Sequence, residues 1–168
     1  MLRLESERLM IVPLTLPLLE KLLIGTTELE KELKLSPSGL ELDLHTQEAM
    51  RYLYRLAGET PDSYPWITNW QIIEKARNLS VGSACFMNVP NEKGEVEIGY
   101  GIHPQFQNRG YMTEALRTIC EWGLRQDGVH VIRAESEPDN IASRRVLAKC
   151  GFVAEDERFF MLPDKTTL

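Results

Sequence analysis

The feature that most constrains the fold is a sharp change of pattern within residues 98–124, which read IGYGIHPQFQNRGYMTEALRTICEWGL. Alternating apolar residues, typical of a strand, stop at His103 and Pro104, and a polar loop that contains Gly110 follows. Apolar residues with helical spacing begin directly after that glycine. The pattern predicts a strand that enters a helix through a short polar loop. Such a loop is a common phosphate site, because the first N–H groups of a helix lack acceptors and carry part of the helix dipole's positive charge.

The remaining sequence predicts one α/β domain over residues 1–168. The first predicted elements are a strand at 8–12, a helix at 15–24, an acidic helix-prone segment at 26–34 and a second helix at about 47–56. The later elements are three strands at 66–75, 81–90 and 95–102, a helix at 110–126, a strand at 129–135, a helix within 139–152 and a strand at 156–162. No internal repeat, low-complexity tract or long linker divides the sequence, so a single domain is expected.

Charge, hydropathy and cysteine use exclude several classes of protein. The formal net charge of −6 argues against non-specific binding to nucleic acid or to an anionic membrane, since both require a basic surface. No window approaches the roughly 18 apolar residues of a membrane helix, and the N-terminal MLRLESERLM lacks the apolar segment of a signal peptide. The three cysteines have neither metal-site nor CxxC spacing, which predicts reduced thiols, no bound metal and a cytoplasmic location.

Four stretches of the sequence carry a family resemblance. Three of them are ESERLMIVPL near the N-terminus, VEIGYGIHP around the strand predicted at 95–102, and NIASRRVLAKCGF in the late helix. The fourth is the polar loop, where Gln107 and Gly110 fit a pattern of Gln or Arg, two residues, Gly, one residue, and Gly or Ala. Taken in chain order, these stretches resemble the motifs of the GNAT acetyltransferases, in particular the RimJ/RimL-like branch. Met112 stands where that family has Gly or Ala, so its side chain must point away from the cofactor while its backbone N–H remains.

The resemblance implies an α/β fold with a mixed, mostly antiparallel central sheet, flanked by helices and splayed between its fourth and fifth strands. Acetyl-CoA would occupy this cleft, with its pantetheine arm along the end of the fourth strand and its pyrophosphate on the amides of 108–113. Asn140 would hydrogen-bond the pantetheine arm. The cofactor-binding residues expected on this basis are Tyr100, Gly101, Ile102, Gln107, Asn108, Arg109, Gly110, Tyr111, Met112, Thr113 and Asn140.

Acetyl transfer to an amine requires a neutral amine and a proton for the departing thiolate. Many GNAT enzymes use as proton donor a tyrosine seven residues after the helix Asn, but Leu147 occupies that position here. The resemblance to the RimJ/RimL-like branch gives this role to Ser143, for which the alternative is an ordinary helix serine bonded to a backbone carbonyl. Glu97 and Glu135 are the two candidate bases, acting directly or through a water. Each of them alone is also compatible with a solvated carboxylate at a strand edge.

Three hypotheses about function stay open at this level. The preferred one is an acetyl-CoA-dependent N-acetyltransferase that acts in a direct ternary complex on the α-amine of a protein or peptide. Such an amine has a pKa of about 7.7–8.0, whereas a lysine amine is near 10.4 and needs more help from a base. The second hypothesis takes a small-molecule amine, such as a polyamine or an aminoglycoside, as the acceptor. The third, favoured by Met112 and Leu147, is a CoA-binding module without catalysis. Dimers are common in the branch that the chain resembles, so a homodimer is also among the expectations.

Overall fold

The structure is a computed structural model that describes residues 1–165; residues 166–168, the end of the expected domain, lie outside the described part. Its strands are β1 (Leu4–Glu5), β2 (Leu9–Pro13), β3 (Trp70–Glu74), β4 (Leu79–Phe86), β5 (Glu95–Ile102), β6 (Val131–Glu135), β7 (Val153–Ala154) and β8 (Phe159–Pro163). They form one eight-stranded sheet in the order β1-β2-β3-β4-β5-β6-β8-β7. The expectation of a single domain over the whole chain stays a prediction.

The sheet is antiparallel except at one place, where β5 and β6 run parallel. These two strands pair only through Glu95 with Val131, Val96 with Ile132, and Glu97 with Arg133. Beyond Glu97 the strands separate, so β5 has a partner strand only on its β4 side as far as Ile102. The predicted mixed, mostly antiparallel sheet, open between the strands counted fourth and fifth in the sequence, is confirmed.

The helices cover the two faces of the sheet. They are α1 (Leu16–Ile24), α2 (Thr26–Glu32), α3 (Leu44–Glu59), α4 (Tyr111–Leu124) and α5 (Ile141–Lys149). Apolar residues of α4 and α5 join the larger core together with Val96 and Ile98 of β5. The smaller core holds residues of α1, α2 and α3, and Cys85 of β4 packs against it. Cys85 pairs with Gly99, and directly paired residues point to the same side of a sheet. Odd-numbered residues of β5 therefore face α1–α3, and even-numbered residues face α4 and α5.

Capping residues explain where the first helices begin and end. Helix α1 starts after Thr15 and ends at Gly25, as the sequence predicts. The helix predicted at 47–56 was too short, because the carboxylate of Asp43 accepts the backbone N–H of Thr46 at 2.7 Å and starts α3 three residues earlier.

The strands predicted at 66–75, 81–90 and 156–162 were wrong at one or both ends. Residues Pro61–Trp66 form a 3₁₀ turn, and the indole of Trp70 donates to the carbonyl of Pro65 at 2.8 Å, so β3 begins only at Trp70. The carboxylate of Asp156 accepts the N–H of Phe159 at 2.9 Å and holds a turn where the last strand was expected to start. Strands β1 and β7 were not predicted, because two residues are too few to show an alternation of apolar and polar side chains. Within residues 1–165, no helix has both the length and the hydropathy to cross a membrane.

Candidate active site

The loop between β5 and α4 ends at a helix start that no side chain caps. Gly110 precedes α4 with φ +79°, and Asn108 has φ +61°; glycine and asparagine adopt this left-handed conformation most readily. Because the cap residue is a glycine, no side-chain oxygen accepts the first N–H groups of the helix. The backbone N–H groups of 111–113 therefore have no intrahelical acceptor, and with the helix dipole they suit an anion.

The side chains around this helix start leave the space in front of it open. Tyr111 and Met112 are 7% and 6% exposed and pack into the larger core. The methionine that departs from the family pattern thus points inward, away from the loop, as the sequence analysis requires. Gln107, Asn108 and Arg109 are exposed on the loop, and the guanidinium carbon of Arg109 lies 5.8 Å from the ring centre of Phe106.

Arg8, which directly precedes β2, supports this loop through a contact that the sequence motifs do not reveal. Its Nη1 donates to the carbonyl of Arg109 at 2.8 Å, and its Nε donates to the carboxylate of Glu114 at 2.7 Å. The hydroxyl of Ser6 also donates to Glu114, at 2.7 Å. Burial alone would raise the pKa of Glu114, but the hydrogen bonds from Arg8 and Ser6 and the charge of Arg8 outweigh it and hold the pKa below its usual value. Arg8 therefore neutralises a carboxylate in the first turn of α4 that would otherwise repel an anion there.

The gap between β5 and β6 holds a pair of hydroxyl groups on the α4/α5 face. The hydroxyl oxygen of Tyr100 lies 2.9 Å from Oγ of Ser143 in α5. Burial raises the pKa of Tyr100 to about 12, although its hydrogen bond with Ser143 opposes the shift. Tyr100 thus stays protonated at neutral pH. Tyr100 was expected to bind the cofactor through its backbone, and its side-chain contact has no signal in the sequence. Ser143 has this tyrosine as its hydroxyl partner in place of a carbonyl of its own helix.

The start of α5 places Asn140 beside this pair. Its Oδ1 accepts the backbone N–H of Ser143 at 3.1 Å and so caps the helix. Among the described residues, none accepts a hydrogen bond from Nδ2 of Asn140, which leaves that amide group available to a ligand. Leu147 is fully buried in the larger core, so the usual tyrosine position is filled by a packing residue.

The two candidate bases lie together on the opposite face. Glu97 belongs to the last pair before the gap opens and points toward α1–α3. Glu135 follows its partner Arg133 by two residues on β6 and therefore points to the same side. Burial, and after it the negative charge of Glu135, raises the pKa of Glu97. The carboxylate of Glu135 lies 3.6 Å from Arg158.

Beyond these carboxylates, the side chain of Met87 covers the same face of β5 at Gly99, where a Cβ would collide with it, and the face opens again at Gly101. Gly101 is exposed, and a Cβ placed on it would meet no atom within 4 Å. Ser83, which pairs with Gly101, lines a pocket of about 40 Å³ together with Thr26, Asn69 and His103, among other residues. Burial lowers the pKa of His103, so this imidazole is neutral near pH 7. Four residues of strand separate Glu97 from Gly101, a length of roughly 13 Å.

The predicted site residues thus form three groups around one gap. The amides at the start of α4 lie at one end, Tyr100, Asn140 and Ser143 lie on the α4/α5 face, and Glu97 and Glu135 lie on the α1–α3 face. The backbone of β5 between residues 98 and 102 lacks a partner strand on the gap side, so its polar groups can pair with an extended ligand.

Comparison with known families agrees with this geometry. The family model described as "Acetyltransferase (GNAT) domain" matches residues 8–153, which is most of the chain. The chain belongs to the GNAT acetyltransferase family. As a GNAT protein, the chain is an acetyl-transferring enzyme.

Individual relatives support the same assignment. The chain is 29% identical over 153 residues to YjdG of Bacillus subtilis (strain 168), named an uncharacterized N-acetyltransferase, and the match covers 91% of this chain and 90% of that protein. Its fold is similar to the ribosomal-protein-S5-alanine acetyltransferase of Vibrio fischeri, with a TM-score of 0.71, 16% identity and 98% coverage of both chains. It is also similar to RimL, a ribosomal L7/L12 α-N-protein acetyltransferase solved with coenzyme A, with a TM-score of 0.66, 18% identity and coverage of 96% and 98%. At these identities the two structures establish likeness of fold alone.

Proposed function

We propose that this GNAT protein uses acetyl-CoA to acetylate the N-terminal α-amine of a protein or peptide by direct attack in a ternary complex. One observation carries the proposal: the hydroxyl pair and the carboxylate pair lie on opposite faces of the same gap in the sheet. A thioester held in that gap would meet a base on one side and a proton donor on the other.

Three features of this chain support the use of acetyl-CoA. The uncapped start of α4 suits its pyrophosphate, the unpaired edge of β5 suits its amide-bearing arm, and Nδ2 of Asn140 is free to join that arm. When bound, acetyl-CoA supplies the activated acetyl group. A Cβ at Gly110 would lie 3.2 Å from Nη2 of Arg8, so a larger residue there would press on the side chain that supports the loop.

On the α1–α3 face, Glu97 would take the proton that an ammonium group must lose before it can attack. Its pKa is raised by burial and by Glu135, which brings it nearer to neutral pH, where a base is most effective. An α-amine, with a pKa of about 7.7–8.0, is partly neutral at that pH and needs only this modest help.

On the α4/α5 face, Ser143 would supply the proton for the departing sulfur. Tyr100 stays protonated because its pKa is about 12, so it can donate its hydrogen to Oγ of Ser143. The serine's own hydrogen is then left to point at the sulfur. Tyr100 acts in this arrangement as a positioning residue for Ser143.

On the acceptor face, β5 is open at Gly101, beyond the side chain of Met87 that covers Gly99. Asn69 and Ser83 line a pocket of about 40 Å³ on this side and are candidate hydrogen-bonding partners for the acceptor.

The test is release of the CoA thiol from acetyl-CoA with a matched panel of acceptors. Peptides with a free N-terminus should turn over, and the same peptides with a blocked N-terminus should not. Turnover confined to polyamines or aminoglycosides would contradict the proposed acceptor. Acetyl-CoA binding without turnover on any amine would favour the non-catalytic CoA-binding module.

Two further expectations stay predictions. The three cysteines, Cys85, Cys120 and Cys150, are free thiols, in keeping with the reducing cytoplasm. A homodimer is expected from the family resemblance, and sedimentation of the purified chain would test it.

A further inference from the structure

Met87, the first residue after β4, is an exposed apolar residue directly opposite the proposed base. Its backbone N–H donates to the carbonyl of Glu97 at 2.9 Å, which continues the β4–β5 ladder by one residue past the pair of Phe86 and Ile98. Met87 is nevertheless 46% exposed, although large apolar residues are mostly buried in this protein. An exposed apolar side chain fixed beside a reactive group is a candidate contact for a substrate.

The side chain of Met87 lies on the same face of the sheet as the carboxylate of Glu97. A Cβ placed on Gly99 would lie 2.5 Å from Cε of Met87, so the thioether end of the side chain rests on the backbone of Gly99. Gly99 pairs with Cys85 and belongs to the α1–α3 face, as Glu97 does. Met87 therefore covers the stretch of β5 that directly follows the proposed base.

The helices that cover this face stop short of Met87. Cys85 precedes it by two residues on the same face and packs against the smaller core, which is formed by α1, α2 and α3. The edge of the helix layer thus passes between Cys85 and Met87, and Glu97 lies beside that edge. Since residues opposite each other in antiparallel strands have Cβ atoms roughly 4.5–5.5 Å apart, an acceptor that brings its amine to Glu97 from this face also meets Met87.

The neighbours of Met87 on this face are mostly charged. Glu97 and Glu135 are the two carboxylates of the site, and Arg133 lies 3.1 Å from the carboxylate of Glu95. Met87 differs from them in chemistry, because its unbranched thioether is apolar and adapts to the shape of a bound group. An apolar group of the acceptor would cover Met87 and remove apolar surface from water, which is favourable. A charged or polar group would gain nothing there.

We propose that Met87 contacts the first side chain of the acceptor peptide and selects peptides whose first residue is apolar. The first side chain branches from the carbon that bears the α-amine, so it is the acceptor side chain nearest to Glu97. The inference rests on the proposed acetylation of α-amines, and it adds a residue that determines specificity and names the class of peptide accepted.

The test measures kcat/KM for two peptides that differ only in their first residue, leucine or asparagine, whose side chains have nearly the same shape. The wild type should favour the leucine peptide by about tenfold, the range expected for burial of part of an apolar side chain. Met87→Ala should lower this preference below about threefold, and Met87→Leu, which keeps an apolar contact, should retain it. The CoA dissociation constant measured by calorimetric titration should be unchanged in both variants, because the contact is with the acceptor.

Val89→Ala is the matched control, because Val89 is also apolar, is 41% exposed and lies two residues further along the same β4–β5 connection. This variant should keep the preference of the wild type. A wild type that uses the two peptides equally or favours asparagine would overturn the inference, as would a preference that survives in Met87→Ala or is lost equally in Val89→Ala. Turnover of neither peptide by the wild type would instead overturn the proposed acceptor, and the inference with it.

Discussion

At the scale of single residues, the two carboxylates at the gap differ in their surroundings. Glu97 is half-buried and forms no ion pair with a described residue, whereas the side chain of Glu135 is 43% exposed and lies near Arg158. The pKa of Glu97 is raised by burial first and by the charge of Glu135 second. We therefore assign the role of base to Glu97 and the role of tuning its pKa to Glu135.

This assignment predicts how the pH dependence of kcat/KM should change. A carboxyl group with a raised pKa stays protonated, and therefore inactive as a base, up to a higher pH. The fall of kcat/KM on the acid side of the profile, its acid limb, should therefore lie at higher pH than an ordinary glutamate would give. Glu97→Gln should lower kcat/KM by roughly a hundredfold and remove that limb. Glu135→Gln removes a like charge, lowers the pKa of Glu97 and should shift the limb to lower pH. The measurement is the pH dependence of kcat/KM for each variant with the same peptide. If the acid limb disappears in Glu135→Gln and remains in Glu97→Gln, then Glu135 is the base and Glu97 is not.

The hydroxyl pair makes a second prediction at this scale. Tyr100→Phe removes the partner of Ser143 but keeps the ring, so kcat should fall by about five- to tenfold while the acetyl-CoA dissociation constant changes less than about twofold. Ser143→Ala should lower kcat by roughly a hundredfold or more. Because Tyr100 acts through Ser143, the double variant should be no slower than Ser143→Ala alone. Steady-state measurements of kcat test this: a double variant whose loss of kcat equals the product of the two single losses would contradict it.

At the scale of elements, the proposed pyrophosphate site depends on the contact between the β1–β2 connection and the start of α4. Arg8 holds the loop through the carbonyl of Arg109 and offsets the charge of Glu114. Arg8→Ala should weaken the binding of CoA by about tenfold, because the carboxylate of Glu114 is then left uncompensated near the phosphates. Binding of 3′-phospho-ADP, which is CoA without its pantetheine arm, should weaken by the same factor. Adding Glu114→Gln should restore much of the affinity. Calorimetric titration of the single and double variants tests this, and a single variant that binds like wild type would contradict it.

The elements whose ends carry strong local signals could be predicted from the sequence. Strand β5 has the predicted bounds because its alternation is uninterrupted between Gly94 and Pro104, and α1 is marked by Thr15 and Gly25. The strand predicted at 66–75 began too early because aromatic residues beside prolines resemble a strand in composition. The turn at Pro61–Trp66 is stabilised by contacts with β3 that have no local signature.

At the scale of the whole molecule, the loop at 107–113 and the choice of Ser143, Glu97 and Glu135 could be proposed from motifs, but their mutual arrangement could not. Tyr100 and Ser143 are 43 positions apart, and Arg8 and Glu114 are 106 apart. Such contacts depend on strand order and on where the parallel pairing of β5 and β6 stops. No single stretch of sequence determines the strand order or the end of this pairing, because both depend on the packing of all the elements together.

The opening in the sheet gives the molecule two chemically different sides. Carboxylates lie on the α1–α3 face, and hydroxyls lie on the α4/α5 face. An acceptor that enters from the α1–α3 face would reach a bound thioester from the side away from the proton donor. This separation allows one step to remove a proton from the amine and another to deliver a proton to the sulfur without competition between the two groups.

The most direct test of the central claim is to incubate the protein with acetyl-CoA and one peptide that carries both a free α-amine and an internal lysine, and to map the acetyl group by tandem mass spectrometry. We expect a single acetyl group on the α-amine, and none when Ser143 is replaced by alanine in the same short reaction time. Acetylation of the lysine alone, or a peptide left unmodified while CoA release proceeds on small amines, would contradict it.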